Sequence, residues 1–283
     1  MASRREFMQA ALASGLGCVA RAAQLKSIGF QVYTVRSLMP QKAQETLTAI
    51  RAAGYREIEG TYAGFDAIWP AVESSGLQPV SMHLDSKMVT QGKPEDLVPV
   101  MDGLKKKGFR YAVMPYVPEP ERGGPDVMKA LAEKCNQAAE KARAAGLKFC
   151  YHNHAFEFAG EKGNTLFDVL LANTDKKLVG IELDLFWVSV AGNDPVEMLR
   201  KLAGRVPLVH LKDKARDTPV QYKESVPPAT FQEVGSGVLD WPNILRAAAA
   251  AKVEHYFVEQ DRTPGNPVDS LRQSFQFVSK LTY

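Results

Sequence analysis

Short apolar runs and longer amphipathic stretches alternate eight times along this chain, and that alternation limits its fold more than any other feature. Four of the amphipathic stretches end at a glycine that directly precedes an apolar run: Gly54, Gly76, Gly108 and Gly146. Glycine is common just past a helix because it adopts the left-handed conformation that ends one. The apolar runs are short and β-rich, which is typical of parallel strands buried on both faces.

The pattern predicts eight strand–helix units. The predicted strands are 28–33, 57–59, 79–83, 111–114, 148–152, 180–184, 208–211 and 256–259. The predicted helices are 41–53, 65–75, 94–107, 126–145, 165–173, 195–203, 241–251 and 267–281. This count favours an α/β fold of the (β/α)8 TIM barrel type, as a single domain over residues 26–283. An open doubly wound sheet is the alternative, but no glycine-rich phosphate loop follows the first strand.

Residues 1–23 have the pattern of an export leader. A twin arginine, Arg4-Arg5, precedes a small-residue apolar stretch that ends at Ala20-Arg21-Ala22, an A-x-A cleavage pattern. A plain amphipathic first helix is the alternative. We expect a twin-arginine-type signal segment and a periplasmic or secreted protein. Loss of its three arginines and one glutamate would change the net charge from +3 to +1.

Composition excludes several classes of partner. The charge is nearly balanced and no basic run is present, so nucleic acid is not an expected partner. No apolar stretch is long enough to span a bilayer. The three cysteines, Cys18, Cys135 and Cys150, form no CxxC pair and no disulfide framework. An oligomer is left open.

Polar side chains follow the apolar strands at their C-terminal ends, which meet at one mouth in a barrel. The stretch YHNHAFEF at strand five supplies two of them. The strand-end residues include Tyr33, Glu59, His83, His152, His154, Asp184, His210, Lys212 and Glu259. Buried polar groups are costly unless something uses them.

Four consecutive strands predict a divalent-metal site. His152, Asp184, His210 and Glu259 end strands five to eight, and such N and O ligands suit Mn²⁺, Mg²⁺ or Zn²⁺. A lone strand-end histidine is more often a hydrogen-bonded structural residue. The metal prediction therefore depends on the whole set.

The segment 213–240 separates the seventh strand from the next helix by more residues than a barrel usually needs. Long loops inside compact domains are usually functional. We expect this segment to cover the C-terminal face as a lid.

Several of these stretches resemble one family. They are IGFQVYTVR, AGYREIEG, YHNHAFEF, IELDLFWV, VHLKD, EVGSGVLDW and YFVEQD. From about residue 26 to the end, the chain resembles the xylose isomerase-like TIM barrel group of sugar (phosphate) isomerases and epimerases. The group also includes inosose dehydratases and relatives that act on 3-keto-glycosides. Its fold hosts several reactions, so the resemblance does not identify the substrate.

The resemblance implies particular ligands. Asp184, His210 and Glu259 match three metal ligands of the epimerases, and the position of their fourth ligand, normally Glu, falls on His152. His154 is the rival ligand if the register differs by two residues. Glu157 resembles a downstream carboxylate that contacts substrate in the epimerases.

The family's chemistry implies proton abstraction next to a carbonyl. Glu259 is the first candidate base, and His154 or Glu157 would supply the second group. Metal-dependent sugar isomerisation or epimerisation is the first hypothesis. A keto-sugar lyase or hydratase of the 3-keto-glycoside or inosose type is the alternative. A non-catalytic periplasmic sugar-binding barrel is the alternative from another class.

The remaining strand-end residues are predicted to bind a small carbohydrate. Trp187 could stack on a sugar ring or simply pack, and Lys212 could hold an oxyanion or pair with Asp213. Glu182 is expected to be a deep structural carboxylate. The predicted substrate contacts are Tyr33, Glu59, His83, Trp187 and Lys212.

Overall fold

A computed structural model describes residues 23–283 of the chain. The predicted leader lies outside the described residues, apart from position 23, and stays a prediction. Cys135 and Cys150 are both free and buried. In the described part, no helix is long and apolar enough to cross a membrane.

Eight parallel strands close into a barrel, which confirms the predicted (β/α)8 architecture. The barrel strands are β1 Gly29–Gln31, β2 Glu57–Thr61, β3 Gln78–His83, β4 Tyr111–Met114, β5 Lys148–His152, β6 Val179–Asp184, β7 Leu208–Leu211 and β10 His255–Val258. Each barrel strand pairs with the barrel strands before and after it in the sequence, so β7 pairs with β10, and β1 closes the barrel against β10.

Ten α-helices surround the strands in the described range. They are α1 Ala43–Ala53, α2 Phe65–Ser75, α3 Ser86–Thr90, α4 Leu97–Lys106, α5 Pro125–Ala144, α6 Leu166–Asn173, α7 Leu185–Val190, α8 Pro195–Lys201, α9 Trp241–Ala250 and α10 Pro267–Val278. Short 3-10 helices lie at Val32–Leu38, Pro94–Asp96, Glu119–Glu121, Phe156–Phe158 and Pro228–Thr230.

The helix ends follow the predicted chemistry. Gly54, Gly76, Gly108 and Gly146 all have positive φ angles, which glycine adopts without a Cβ penalty. Asp194 caps α8, because its side chain accepts a hydrogen bond from the backbone N–H of Val196.

The barrel interior has an apolar layer beneath a polar one. A separate buried cluster contains Val80, Tyr111, Val113, Cys150, Leu208 and Phe257. Residues two apart on a strand point to the same face. His210 therefore lies above Leu208 on the inner face, and Glu259 lies above Phe257. The mouth at the C-terminal ends is where charged side chains gather.

The segment 213–240 folds over the barrel as a small antiparallel hairpin. Its strands are β8 Asp213–Lys214 and β9 Phe231–Gln232. The buried carboxylate of Asp213 accepts hydrogen bonds from Gly235 N, Leu239 N and Trp241 Nε1 at 2.9, 3.1 and 2.7 Å. Asp213 thus anchors this lid. It is not the partner of Lys212, which was one of the two alternatives for that lysine.

Candidate metal centre and substrate cavity

The four predicted ligands converge at the mouth of the barrel. His210 Nδ1 lies 2.8 Å from Glu259 Oε2 and 3.9 Å from Asp184 Oδ2. His152 Nε2 lies 3.6 Å from the same Asp184 oxygen. All four side chains are buried. They therefore present two imidazole nitrogens and two carboxylates to one small volume.

A buried carboxylate lies behind each of these two histidines. His210 Nε2 lies 2.6 Å from Glu59 Oε2, and His152 Nδ1 lies 3.1 Å from Glu182 Oε2. Metal-binding histidines commonly pair their second nitrogen with a carboxylate, which fixes the tautomer and the ring orientation. The nitrogens that face Asp184 are thus oriented as ligands would be.

The residues fit a divalent ion. Asp184 Oδ2 is buried, and the nitrogens of His152 and His210 lie 3.6 and 3.9 Å from it, with Lys212 Nζ at 2.8 Å. Ligand atoms of Asp184, His210 and Glu259 all lie within 4.8 Å of one another. Ligand atoms of a second group also lie within 4.8 Å of one another. This group consists of His83, His152, Glu182 and the same His210. The mixed N and O donors suit Zn²⁺ or Mn²⁺.

Lys212 lies between the carboxylates. Its Nζ is 2.8 Å from Asp184 Oδ2, 2.5 Å from Glu259 Oε2 and 2.9 Å from Asp261 Oδ2. Burial alone would lower the pKa of the Lys212 ammonium, but the three carboxylates raise it well above its usual value. Lys212 is therefore a charged group that holds these acids in place.

The two histidines differ in their electrostatics. Burial lowers the pKa of His152 to about 4, so its imidazole is neutral and offers a lone pair. Burial also disfavours the charged form of His210, but the carboxylates of Glu182, Glu59 and Glu259 outweigh it and raise the pKa of His210 well above normal. Since a metal ligand must be deprotonated, an ion would have to displace a proton from His210 Nδ1.

Burial raises the pKa of Glu59 to about 7, and the neighbouring Glu182 carboxylate adds to this effect. Burial would also raise the pKa of Glu259, but Lys212 and His210 hold it well below its usual range. Glu259 is therefore the ionised carboxylate at the cavity floor.

A cavity of about 460 Å³ opens above the cluster. Four aromatic side chains form part of its walls, and His83, His152 and Glu259 reach it from the barrel. The aromatic walls come from Tyr33, Tyr116, Trp187 and Phe231. Such a surface can stack on the apolar faces of a sugar ring.

His154 lies in the cavity wall rather than in the ligand cluster. Its ring centroid is 5.1 Å from that of Tyr116 and 5.5 Å from that of Trp187. Burial lowers its pKa well below normal, so the ring is neutral. Its Nδ1 is buried and has no hydrogen-bond partner in the described part of the chain.

Besides Lys212, two residues predicted to act in catalysis or to contact substrate lie outside the cavity lining. Glu157 lies behind His154: its carboxylate accepts hydrogen bonds from Tyr151 Oη at 2.8 Å and from the backbone N–H of His154 at 2.9 Å. Glu59 lies beneath His210 and accepts a hydrogen bond from Gln31 Nε2 at 2.8 Å. Both positions suit residues that orient a histidine, and the predicted contact with substrate stays a prediction.

Sequence reasoning missed four charged residues in or near the cavity wall: Asp261, Arg262, Arg122 and Glu224. Asp261 follows Glu259 by two positions, so extending the strand's period would have placed it on the same face. Arg122 and Glu224 lie in loops without periodicity, and they meet across 102 positions of sequence. No local pattern signals such a contact.

The comparisons with known proteins agree with this architecture. Inosose dehydratases from Geobacillus thermodenitrificans and Clostridium botulinum are each 28% identical, over 158 and 160 residues. These matches cover 52% and 53% of this chain and the same shares of the two relatives, so the chain spans about half the length of the curated relatives it matches.

Solved structures show the same fold. A sugar phosphate isomerase/epimerase from Parabacteroides distasonis superposes with a TM-score of 0.75 at 24% identity, covering 91% of this chain and 99% of that one. A structure described as the IOLI protein with a binding zinc atom superposes with a TM-score of 0.68 at 14% identity. The superposition covers 89% of this chain and 98% of that one. The family model for the xylose isomerase-like TIM barrel matches residues 95–281, well over half of the chain. The chain therefore belongs to the xylose isomerase-like TIM barrel family.

Proposed function

We propose that this protein is a divalent-metal-dependent enzyme that removes a proton next to the carbonyl of a carbohydrate, with isomerisation or epimerisation as the outcome. The observation that carries the proposal is the cluster of His152, Asp184, His210 and Glu259, with a carboxylate behind each histidine, at the floor of an aromatic cavity. The epimerases and dehydratases among the similar proteins support it.

A divalent ion held by these four residues would polarise the substrate carbonyl and stabilise an enediolate. The chain's own groups would handle the proton. Glu259 is ionised and reaches the cavity, so its free lone pairs can accept the α-proton. Lys212 keeps Glu259 in place through its ion pair. His154 supplies a second group on the aromatic wall, which a 1,2-shift or an epimerisation requires.

Elimination from a keto-sugar is the second candidate. Loss of a β-substituent leaves an oxygen that must gain a proton, and the proton taken up by Glu259 balances that step. The neutral ring of His154 can donate a hydrogen bond to the leaving oxygen when its unpartnered Nδ1 carries the hydrogen. The inosose dehydratase relatives favour the same reaction. Epimerisation and elimination share the first proton abstraction and differ only in their later steps.

Hydrogen exchange tests the shared step. In D₂O with Mg²⁺ or Mn²⁺ present, the native protein should place deuterium on the α-carbon of a keto-sugar from a panel followed by NMR. Glu259→Gln should slow this exchange by roughly 10²–10⁴-fold, because general-base catalysis has that magnitude. Glu133→Gln, an exposed carboxylate on α5, should exchange at the native rate.

The products separate the candidates. An enone or dione absorbing in the ultraviolet would establish elimination, whereas a new sugar without that absorbance would establish isomerisation or epimerisation. If no deuterium enters any sugar and the protein retains no divalent metal, proton abstraction is wrong and a sugar-binding barrel becomes the better description.

A further inference from the structure

The lid carries a carboxylate into the cavity wall. Glu224, Ser225 and Val226 all line the cavity, and they belong to the segment between β8 and β9. Two carboxylate–guanidinium contacts hold the side chain of Glu224: Arg122 Nη1 lies 3.0 Å from Oε2, and Arg122 Nη2 lies 2.8 Å from Oε1. The pair joins the lid to the loop that follows β4.

Arg122 is fixed independently of this contact. Its Nε donates a hydrogen bond to the backbone carbonyl of Val117 at 2.9 Å. Its guanidinium carbon lies 3.9 Å from the ring centroid of Phe156 and 4.9 Å from that of Tyr116. A planar guanidinium held in this way suits two-point binding of a carboxylate or a phosphate. Glu224 already occupies that position.

Other cations near the cavity are also engaged. Lys212 contacts three carboxylates. Arg36 donates hydrogen bonds to the backbone carbonyls of Tyr33 and Asp261, at 2.7 and 2.8 Å. Among the cavity-lining residues that the structure describes, Arg262 is the single lysine or arginine, and it is exposed.

The cavity lining also carries three acids, Glu224, Glu259 and Asp261. A phosphorylated sugar would bring a dianion towards these acids, and the one guanidinium in the lining, that of Arg262, is exposed to solvent, which screens its charge. Like charges brought together at a binding site weaken binding. The hydroxyl groups of an uncharged sugar can instead donate hydrogen bonds to carboxylate oxygens.

We propose that this site takes uncharged carbohydrates, and that Glu224 excludes phosphorylated ones by occupying the guanidinium of Arg122. The proposal rests on the proposed function, because it concerns the substrate of the same cavity. It assigns a specificity role to a lid residue and a supporting role to an arginine outside the metal cluster.

Matched ligand pairs test the proposal by binding alone. Isothermal titration in Mg²⁺ would compare fructose with fructose 6-phosphate, and glucose with glucose 6-phosphate. For the native protein, we expect the uncharged member of at least one pair to bind roughly tenfold more tightly. In Glu224→Gln, the phosphorylated member should gain roughly tenfold in affinity, since the substitution removes a negative charge and frees Arg122.

Two further variants isolate the cause. Glu119→Gln makes the same charge change at an exposed position of the same loop as Arg122, and should leave both affinities unchanged. The double variant Glu224→Gln with Arg122→Gln should lose the gain, because the freed guanidinium is then absent.

Three results would overturn the proposal. They are equal or tighter native binding of the phosphorylated members, no gain in Glu224→Gln, and no binding of either member of any pair. The titration compares affinities and does not require turnover. A failure of the deuterium-exchange test would therefore leave the binding result standing, and a failure of the binding test would leave the exchange result standing.

Discussion

Glu157 is a carboxyl group that the folded protein keeps largely protonated near neutral pH. It is fully buried, and burial raises its pKa to about 8 even though two hydrogen-bond donors, Tyr151 Oη and the backbone N–H of His154, partly oppose the shift. In the unfolded chain, a glutamate titrates near its ordinary pKa of about 4.3. The folded protein therefore binds more protons at this position between those two values.

The pKa shift of Glu157 predicts a loss of stability as the pH rises from about 4.3 to about 8. A group whose pKa is raised by folding contributes stability below its unfolded pKa, and that contribution is lost as the pH rises through the folded value. Relative to Glu157→Gln, the native protein should lose up to about 1.4 kcal/mol of unfolding free energy per pH unit over that interval.

Urea unfolding of the native protein and of Glu157→Gln, at steps between about pH 5 and about pH 9, measures the difference in their unfolding free energies. Glu133→Gln serves as the exposed control and should follow the native curve. A difference between the native protein and Glu157→Gln that does not change with pH would contradict a raised pKa at Glu157.

The strand pattern in the sequence predicted the positions of the metal-cluster residues well. It predicted the groups that surround them less well. His152, Asp184, His210 and Glu259 meet because each ends a parallel strand of one closed barrel. Glu59 also ends such a strand in the prediction, but β2 continues to Thr61, so the side chain of Glu59 lies deeper, under His210. Depth within a barrel depends on how far each strand extends, which the apolar pattern does not fix.

Among the elements, the predicted strands and main helices agree closely with the structure, whereas two short helices were missed. β4, β5 and β7 have the predicted bounds. α7 begins directly after β6, and all six of its residues, Leu185–Val190, are buried. A helix buried on every side has no amphipathic period, so its sequence resembles a continuation of the strand.

The lid hairpin depends on a close approach at Gly237. A Cβ at this position would lie 2.2 Å from Asp213 Oδ1 and 2.4 Å from the carbonyl oxygen of Lys214. Gly237→Ala should therefore displace Asp213 from its hydrogen bonds to the lid backbone. We expect a loss of about 1–3 kcal/mol in unfolding free energy, the usual range for overpacking.

Thermal unfolding and limited proteolysis within 213–240 would measure the effect of Gly237→Ala. Gly103→Ala is the matched control: it lies inside α4, and no atom lies within 4 Å of its added Cβ. That variant should be unchanged or more stable, since alanine has the higher helix propensity. Equal behaviour of the two variants would show that the lid does not need the close contact.

At the scale of the whole molecule, the barrel concentrates buried charge at one end. Carboxylates or imidazoles from β2, β3, β5, β6, β7 and the end of β10 meet there: Glu59, His83, His152, Glu182, Asp184, His210 and Glu259. Burying charges is costly unless they are paired well. A divalent ion held by His152, Asp184, His210 and Glu259 would offset part of that cost and join four neighbouring strands of the barrel.

Metal binding should therefore stabilise the whole barrel. An ion that binds only the folded state at about 100 times its dissociation constant adds roughly 2.7 kcal/mol. For a domain of this size, that corresponds to a rise of roughly 5–10 °C in melting temperature. Asp184→Asn should lose most of this metal-dependent rise, because the substitution removes an anionic ligand. Asp217→Asn, an exposed change in the lid, should keep the rise.

Melting curves with and without Mn²⁺ or Zn²⁺, after dialysis against a chelator, give the rise in melting temperature for each protein. If the metal raised the melting temperature of the native protein and of Asp184→Asn equally, Asp184 would not be a metal ligand.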